Sequence, residues 1–141
     1  MNIMKFKIIA KFLKDLSFEI PNAETLFFLG ENIQKYQLKV DIKSFHLKNK
    51  NIQVDLILKF ENESNISRKA HIEATYSIVA ILDEDLKDKN EIQRIILVDI
   101  PSISYPTLVE IFINLLKKSG LSINNINSEI DFEKLYIERS N

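Results

Sequence analysis

Nine residues in the middle of the chain, IQVDLILKF, allow little choice of structure. Ile52, Val54, Leu56, Leu58 and Phe60 fall on one phase of a two-residue repeat, and Gln53, Asp55, Ile57 and Lys59 fall on the other. Successive side chains of an extended strand point to opposite faces, so this stretch is a strand with one apolar face. Such a face has to be covered by another layer. Two further stretches read the same way. Residues 37–45 set Leu38, Val40 and Ile42 against Lys39, Asp41 and Lys43, and residues 69–82 put Ala70, Ile72, Ala74, Tyr76, Ile78 and Ala80 on one face. From Val79 onward the second face of that strand is apolar too, which predicts cover on both sides there. A turn including Lys48-Asn49-Lys50-Asn51 joins residues 37–45 to 52–60, and residues 61–67 form the next hairpin loop.

The first strand, residues 7–20, carries a conflict. Leu16, Phe18 and Ile20 oppose Asp15, Ser17 and Glu19, but Ile8, Ala10 and Phe12 share a phase that would put Lys14 inside. A bulge or twist near Leu13-Lys14 would remove it. Pro21-Asn22 ends the strand, and Leu26, Phe27, Phe28 and Leu29 then follow in a row beside Gly30. Two readings of that run compete: ordinary core, or a surface that receives an apolar chain from elsewhere.

After a charged connector, residues 83–91, the pattern turns helical. A short helix is expected over residues 91–98, interrupted near Pro101. A stronger one is expected over 102–119, ending at Gly120, with Lys117 and Lys118 complementing its C-terminal dipole and Pro106 marking its true start or a kink. Phe132, Leu135 and Tyr136 make one stripe of a short terminal helix, with Ser128 and Asp131 spaced for a cap at its start. Four strands followed by helices predict one α+β domain over residues 1–141: a four-stranded antiparallel sheet with helices packed on one face.

The helix over 102–119 is too apolar for one sheet. Leu108, Ile111, Phe112 and Leu115 form one face, and Val109, Ile113 and Leu116 widen the arc beyond the ~100° that a sheet-covering helix needs. Either the helix is buried on two sides within the chain, or its second side is a contact between subunits. The sequence reading prefers the subunit contact, formed by Tyr105, Leu108, Val109, Phe112, Ile113 and Leu116.

Composition removes several classes of function. A net charge of −1 supplies no field for holding nucleic acid, and the absence of cysteine removes disulfides, thiol catalysis and thiolate metal sites. The 2 glycines leave no G-x-G-x-x-G or phosphate loop. Lysines 5, 7, 11 and 14 break every apolar run near the N-terminus, and no stretch is read as long enough to enter a membrane stably, so the cytoplasm is the expected location. His46 and His71 stand alone, without the spacing of a zinc site or a catalytic set. No enzyme activity, cofactor or metal is expected.

Residues 14–23, KDLSFEIPNA, resemble the S-F-E-x-P-N-A mark of SecB, the protein-export chaperone of bacteria. QLKVDI at 37–42, TYSIVAI at 75–81, Tyr105-Pro106 with Glu110 and Gly120, and IDFEKLY at 130–136 resemble further family segments in the same order. The resemblance implies a homotetramer built as a dimer of dimers. Such an assembly holds unfolded preproteins without ATP and hands them to the translocation ATPase SecA. It implies that clients lie against Leu26, Phe27, Phe28 and Leu29 of the crossover, Tyr76, and Phe132, Leu135 and Tyr136 of the terminal helix. Asp15 and Glu19 match positions that contact SecA. The sequence departs from the family at Lys69, where an acid is usual, at Val109, where an arginine is usual, and at Glu73 and Ala74, which replace paired glycines. A SecB-like chaperone of a toxin-antitoxin system and a structural adaptor oligomer are the alternatives.

Overall fold

The computed structural model describes residues 5–33, 36–62, 70–121 and 130–140. The element order is β1 (Phe6–Glu19), α1 (Ala23–Glu31), β2 (Tyr36–His46), β3 (Asn51–Asn62), β4 (His71–Leu82), α2 (Lys89–Arg94), a π turn (Ile95–Asp99), α3 (Ile100–Lys118) and α4 (Phe132–Ser140). The four strands form one antiparallel sheet in the order β1-β4-β3-β2, as expected. β1 and β2 are therefore its two edges, and residues 20–35 carry the chain from one edge to the other.

The alternation places the core. Ile52, Val54, Leu56, Leu58 and Phe60 of β3 are buried, as are Ile72, Ala74, Ile78, Ala80 and Leu82 of β4. Two adjoining clusters result. One joins Ile52, Val54, Ile78 and Ala80 to Ile95, Ile96 and Ile100, and the other joins Leu56, Leu58, Phe60 and Ile72 to Leu108, Phe112 and Leu116. Among the described residues the helical cover lies on this face, and no helix covers the opposite face, called the open face below.

At the β2–β3 turn Asn49 and Lys50 both take φ 61°, and Asn51 N–H donates to the Lys48 carbonyl at 3.2 Å. Two central residues with positive φ match the strand twist. Lys50 is an unfavourable residue there, but its ammonium donates to the Glu84 carbonyl at 2.6 Å.

Three expectations need correction. Residues 23–31 are a helix, so the order is not strands first and helices after. Asn22 caps that helix: its Oδ1 accepts from the Thr25 N–H and the Thr25 hydroxyl, each at 2.8 Å. The expected break near Pro101 is instead a π turn one step earlier, in which Ile100 N–H donates to Ile95 C=O. Proline has no N–H to give to the carbonyl four residues back, so the ladder loosens ahead of it without breaking. The run Lys89–Lys118 is thereby continuous for 30 residues, and by length and composition it could cross a membrane, although 56% of its most apolar window is buried in the chain's own core. Asp131 caps α4, its Oδ1 accepting from the Lys134 N–H at 3.1 Å; Ser128 and Lys69 lie outside the described residues.

The expected bulge at Leu13-Lys14 is present, and there is a second one between Ile8 and Ala10. Between the two shifts the strand runs in reversed phase. Lys11 and Leu13 stand opposite the core-face residues Ile78 and Tyr76, while Ala10 and Phe12 stand opposite Val79 and Ser77 on the open face.

Candidate functional site

α1 turns one face to the core and one to water. Thr25 and Leu29 are buried, Leu26 and Phe28 are half-buried, and Phe27 is 67% exposed. A four-residue apolar run wraps fully around a helix, so one of its members must face outward. Leu29, at 0% exposure, is core, which corrects its expected place on a binding surface. The end of α3 closes this corner: a side chain at Gly30 would meet Leu121 Cδ2 at 3.5 Å.

α4 divides in the same way. Phe132 is buried edge-on against Tyr105, with ring centroids 5.5 Å apart, so it anchors the helix rather than standing free. Arg94 donates to Glu133 at 2.7 Å and ties α4 to α2. Tyr136 is half-buried and Leu135 is 44% exposed. Between α4 and β2 lies a groove of about 550 Å³, lined by Leu38, Val40, Ile130 and Leu135 with Asp131, Lys134 and Glu138 at its rim. Leu38, Val40 and Ile130 were not singled out from sequence as binding residues. Part of their signal was available: Leu38 and Val40 are core-phase apolar residues, and the strand that carries them is an edge strand. Neither Phe27 nor Tyr76 is among the groove's lining residues; Tyr76 stands between Leu13 of β1 and Leu56 of β3 and packs against the cluster that holds Phe132. The structure thus gathers Leu135 with β2 but leaves Phe27 as a separate apolar projection.

Tyr105, Leu108, Val109, Phe112 and Leu116, the residues expected at a subunit contact, are buried within the single chain; Ile113 is half-buried. The sheet below and Phe132 at the flank bury these five, while Ile111, Ile113 and Leu115 stay half-buried and Tyr105, Val109 and Ile113 line a groove along the helix. Burial pushes the Tyr105 hydroxyl up to about 12, and it has no hydrogen-bond partner among the described residues. Exposed apolar side chains are found on several elements, among them Ile103 of α3 and a run on β1, where Ile9, Phe12, Leu13 and Leu16 are all exposed.

Asp15 and Glu19 are exposed on the open face of β1, opposite Thr75 and His71, with Ser17 between them opposite Glu73. Deeper on that face Asp55 is 2% exposed. Its Oδ2 accepts from Lys14 Nζ at 2.7 Å, and its Oδ1 accepts from Ser77 Oγ at 2.6 Å and Gln53 Nε2 at 2.9 Å. Burial alone would push this carboxyl up, but those three hydrogen bonds and the Lys14 charge outweigh it and hold it below the usual aspartate value. Among the described residues no group of three or more His, Cys, Asp or Glu side chains is placed to hold a metal ion.

A family model described as preprotein translocase subunit SecB matches residues 2–141. The putative protein-export protein SecB of Pelagibacter ubique is 43% identical over 136 residues, which cover 96% of this chain and 97% of that protein. The protein-export protein SecB of Rhodospirillum rubrum is 26% identical over 129 residues, covering 92% of this chain and 78% of that protein. In fold, the chain is similar to a SecB-like chaperone of Mycobacterium tuberculosis solved with an antitoxin peptide. The TM-score is 0.65 at 15% identity, and the match covers 89% of this chain and 90% of that one.

Proposed function

The chain belongs to the SecB family, and from that premise we propose that it is an ATP-independent holding chaperone that binds unfolded preproteins and delivers them to SecA in the cytoplasm. SecB-family proteins are chaperones rather than enzymes. The observation that carries the proposal is apolar side chain left in water on the two elements that flank the sheet: Phe27 on α1, and Leu135 above the groove on α4. Apolar contact has no directional demand, so such surfaces accept many sequences. Folded proteins hide the segments that would fit, which makes the unfolded state itself the thing recognised. The wall of the groove is β2, an edge strand of the sheet, and an edge strand is where an extended chain can be added.

Energetics favours an assembly over a single chain. Burying ~600 Å² of client surface gains roughly 15 kcal/mol. Ordering ~10 client residues costs about 10–20 kcal/mol. One site is therefore close to break-even, whereas linked sites raise avidity by ~10²–10⁴. A homotetramer, a dimer of dimers, supplies them. Its support in this chain is β1, a 14-residue strand at the edge of the sheet formed by the described residues, with exposed apolar side chains on both faces. Left in water such an edge invites aggregation; a second copy would cover it. SecA docking belongs on the open face, where Asp15 and Glu19 offer two carboxylates to a basic partner. A toxin-antitoxin context has the fold neighbour's antitoxin peptide in its favour, but that likeness is of fold alone, and the 43%-identical relative is named for protein export.

The test is capture of a slowly folding preprotein, measured as suppression of its aggregation. Phe27→Ser with Leu135→Ser should weaken capture several-fold and leave assembly intact. Asp15→Lys with Glu19→Lys should abolish SecA binding and spare capture. Unchanged capture in the first variant removes these side chains from the client surface, and unchanged SecA binding in the second removes the acidic stripe.

A further inference from the structure

β1 has two possible registers, one uninterrupted and one bulged. Counted from Leu16 opposite Ala74, an uninterrupted ladder would set Lys14 opposite Tyr76, Phe12 opposite Ile78 and Ala10 opposite Ala80, all on the helix-covered face. Ile8, Ala10, Phe12, Leu16 and Phe18 would then make one apolar stripe with a single flaw, Lys14. In the structure the strand instead takes an extra residue at Lys14 and another at Ile9. Phe12 is turned out onto the open face, where it is 42% exposed. An aromatic ring is given up to water while Lys11 takes a place in the core-facing phase.

One feature of the open face accounts for this. The bulged Lys14 reaches across β4 and donates to Asp55 at 2.7 Å, beside Ser77 on the intervening strand. Its ammonium also lies 5.4 Å from the centre of the Phe45 ring of β2, so a single side chain of β1 reaches past β4 to both β3 and β2. Asp55 is buried and fixed from two other sides by Ser77 and Gln53, so it cannot turn to meet the lysine elsewhere. A bulge re-aims a side chain at the expense of ladder regularity.

We infer that Asp55 is the register-setting residue of β1: by holding Lys14 on the open face it forces the bulge and dictates that Ala10 and Phe12, rather than Lys11 and Leu13, are presented there. The edge strand is a two-register element with its selector two strands away. Loss of the selector would straighten the edge, withdraw Phe12 beneath the helices and bring Leu13 out opposite Ser77.

The chain has no cysteine, so paired cysteines report the register cleanly. Ala10 stands opposite Val79 in the observed register, and Ala80 points to the other face, where no disulfide with residue 10 can form. In the native background, Ala10→Cys with Val79→Cys should oxidise to a disulfide and Ala10→Cys with Ala80→Cys should not. With Lys14→Met and Asp55→Leu added, the preference should invert. If that background does not fold, as judged by circular dichroism, Asp55→Asn is read the same way and should make the 10/80 pair close. Closure confined to the 10/79 pair in every folded background overturns the inference, because the bulge would then be set without Asp55.

Discussion

At the scale of the residue, Asp55 shows how a strand pattern can mislead. It occupies a polar-phase position, and alternation alone assigns it to water. Its burial comes from Lys14, Ser77 and Gln53 closing around it. Removing one partner of a buried ion pair usually costs 3–5 kcal/mol. Lys14→Met should fall at the low end, about 3 kcal/mol, because Ser77 and Gln53 still bond the carboxylate and the lysine end of the pair is half-exposed. The pH dependence has a fixed sign. The folded-state value of Asp55 lies below its ordinary 3.8, so its contribution is complete above the ordinary carboxylate range and is lost as pH falls through the lower folded value. Urea denaturation of the native protein and Asp55→Asn should show a gap near neutrality that closes in acid; a gap constant down to acid pH would mean that the carboxylate is not held charged. The phase conflict at Lys14 was visible in the sequence, and so was the need for a bulge. The acid that settles it was not, because Lys14 and Asp55 are 41 residues apart and meet only across an intervening strand.

At the scale of the element, the strands were legible because their period is short and their burial one-sided. α1 was not. Four apolar residues in a row fit neither a period of two nor a helical stripe, and the informative signal was the cap, Asn22 with Thr25 three residues on. Asn22→Ala removes the acceptor for the Thr25 N–H and for its buried hydroxyl, so it should destabilise by about 1–2 kcal/mol in thermal melts. A change within a few tenths would mean that packing at Leu29 alone holds the helix. The second cover of α3 was likewise hidden. The width of its apolar arc was read correctly, but the partner that widens it is Phe132, from a helix whose docking depends on Tyr105 and on the Arg94–Glu133 pair. Five of the six side chains that the sequence assigned to another subunit are therefore buried within the chain, and Ile113 is half-buried.

At the scale of the whole molecule, the sheet has one covered face, one open face and two unlike edges. β2 closes a groove with α4; β1, the other edge among the described residues, carries apolar side chains exposed to water. The α+β class and the strand content could be read from pattern, and the family from residues 14–23 and the segments that follow. How the faces are used could not, since edge exposure is a property of strand order, which alternation does not encode. The claim on which the account rests is that copies of this chain assemble and together grip an unfolded partner. Native mass measurement at micromolar concentration tests it most directly, with and without a denatured preprotein. The account predicts a particle of four 16.4 kDa chains that gains the mass of the unfolded preprotein and ignores the folded form. A stable 16.4 kDa monomer that takes up neither would contradict it.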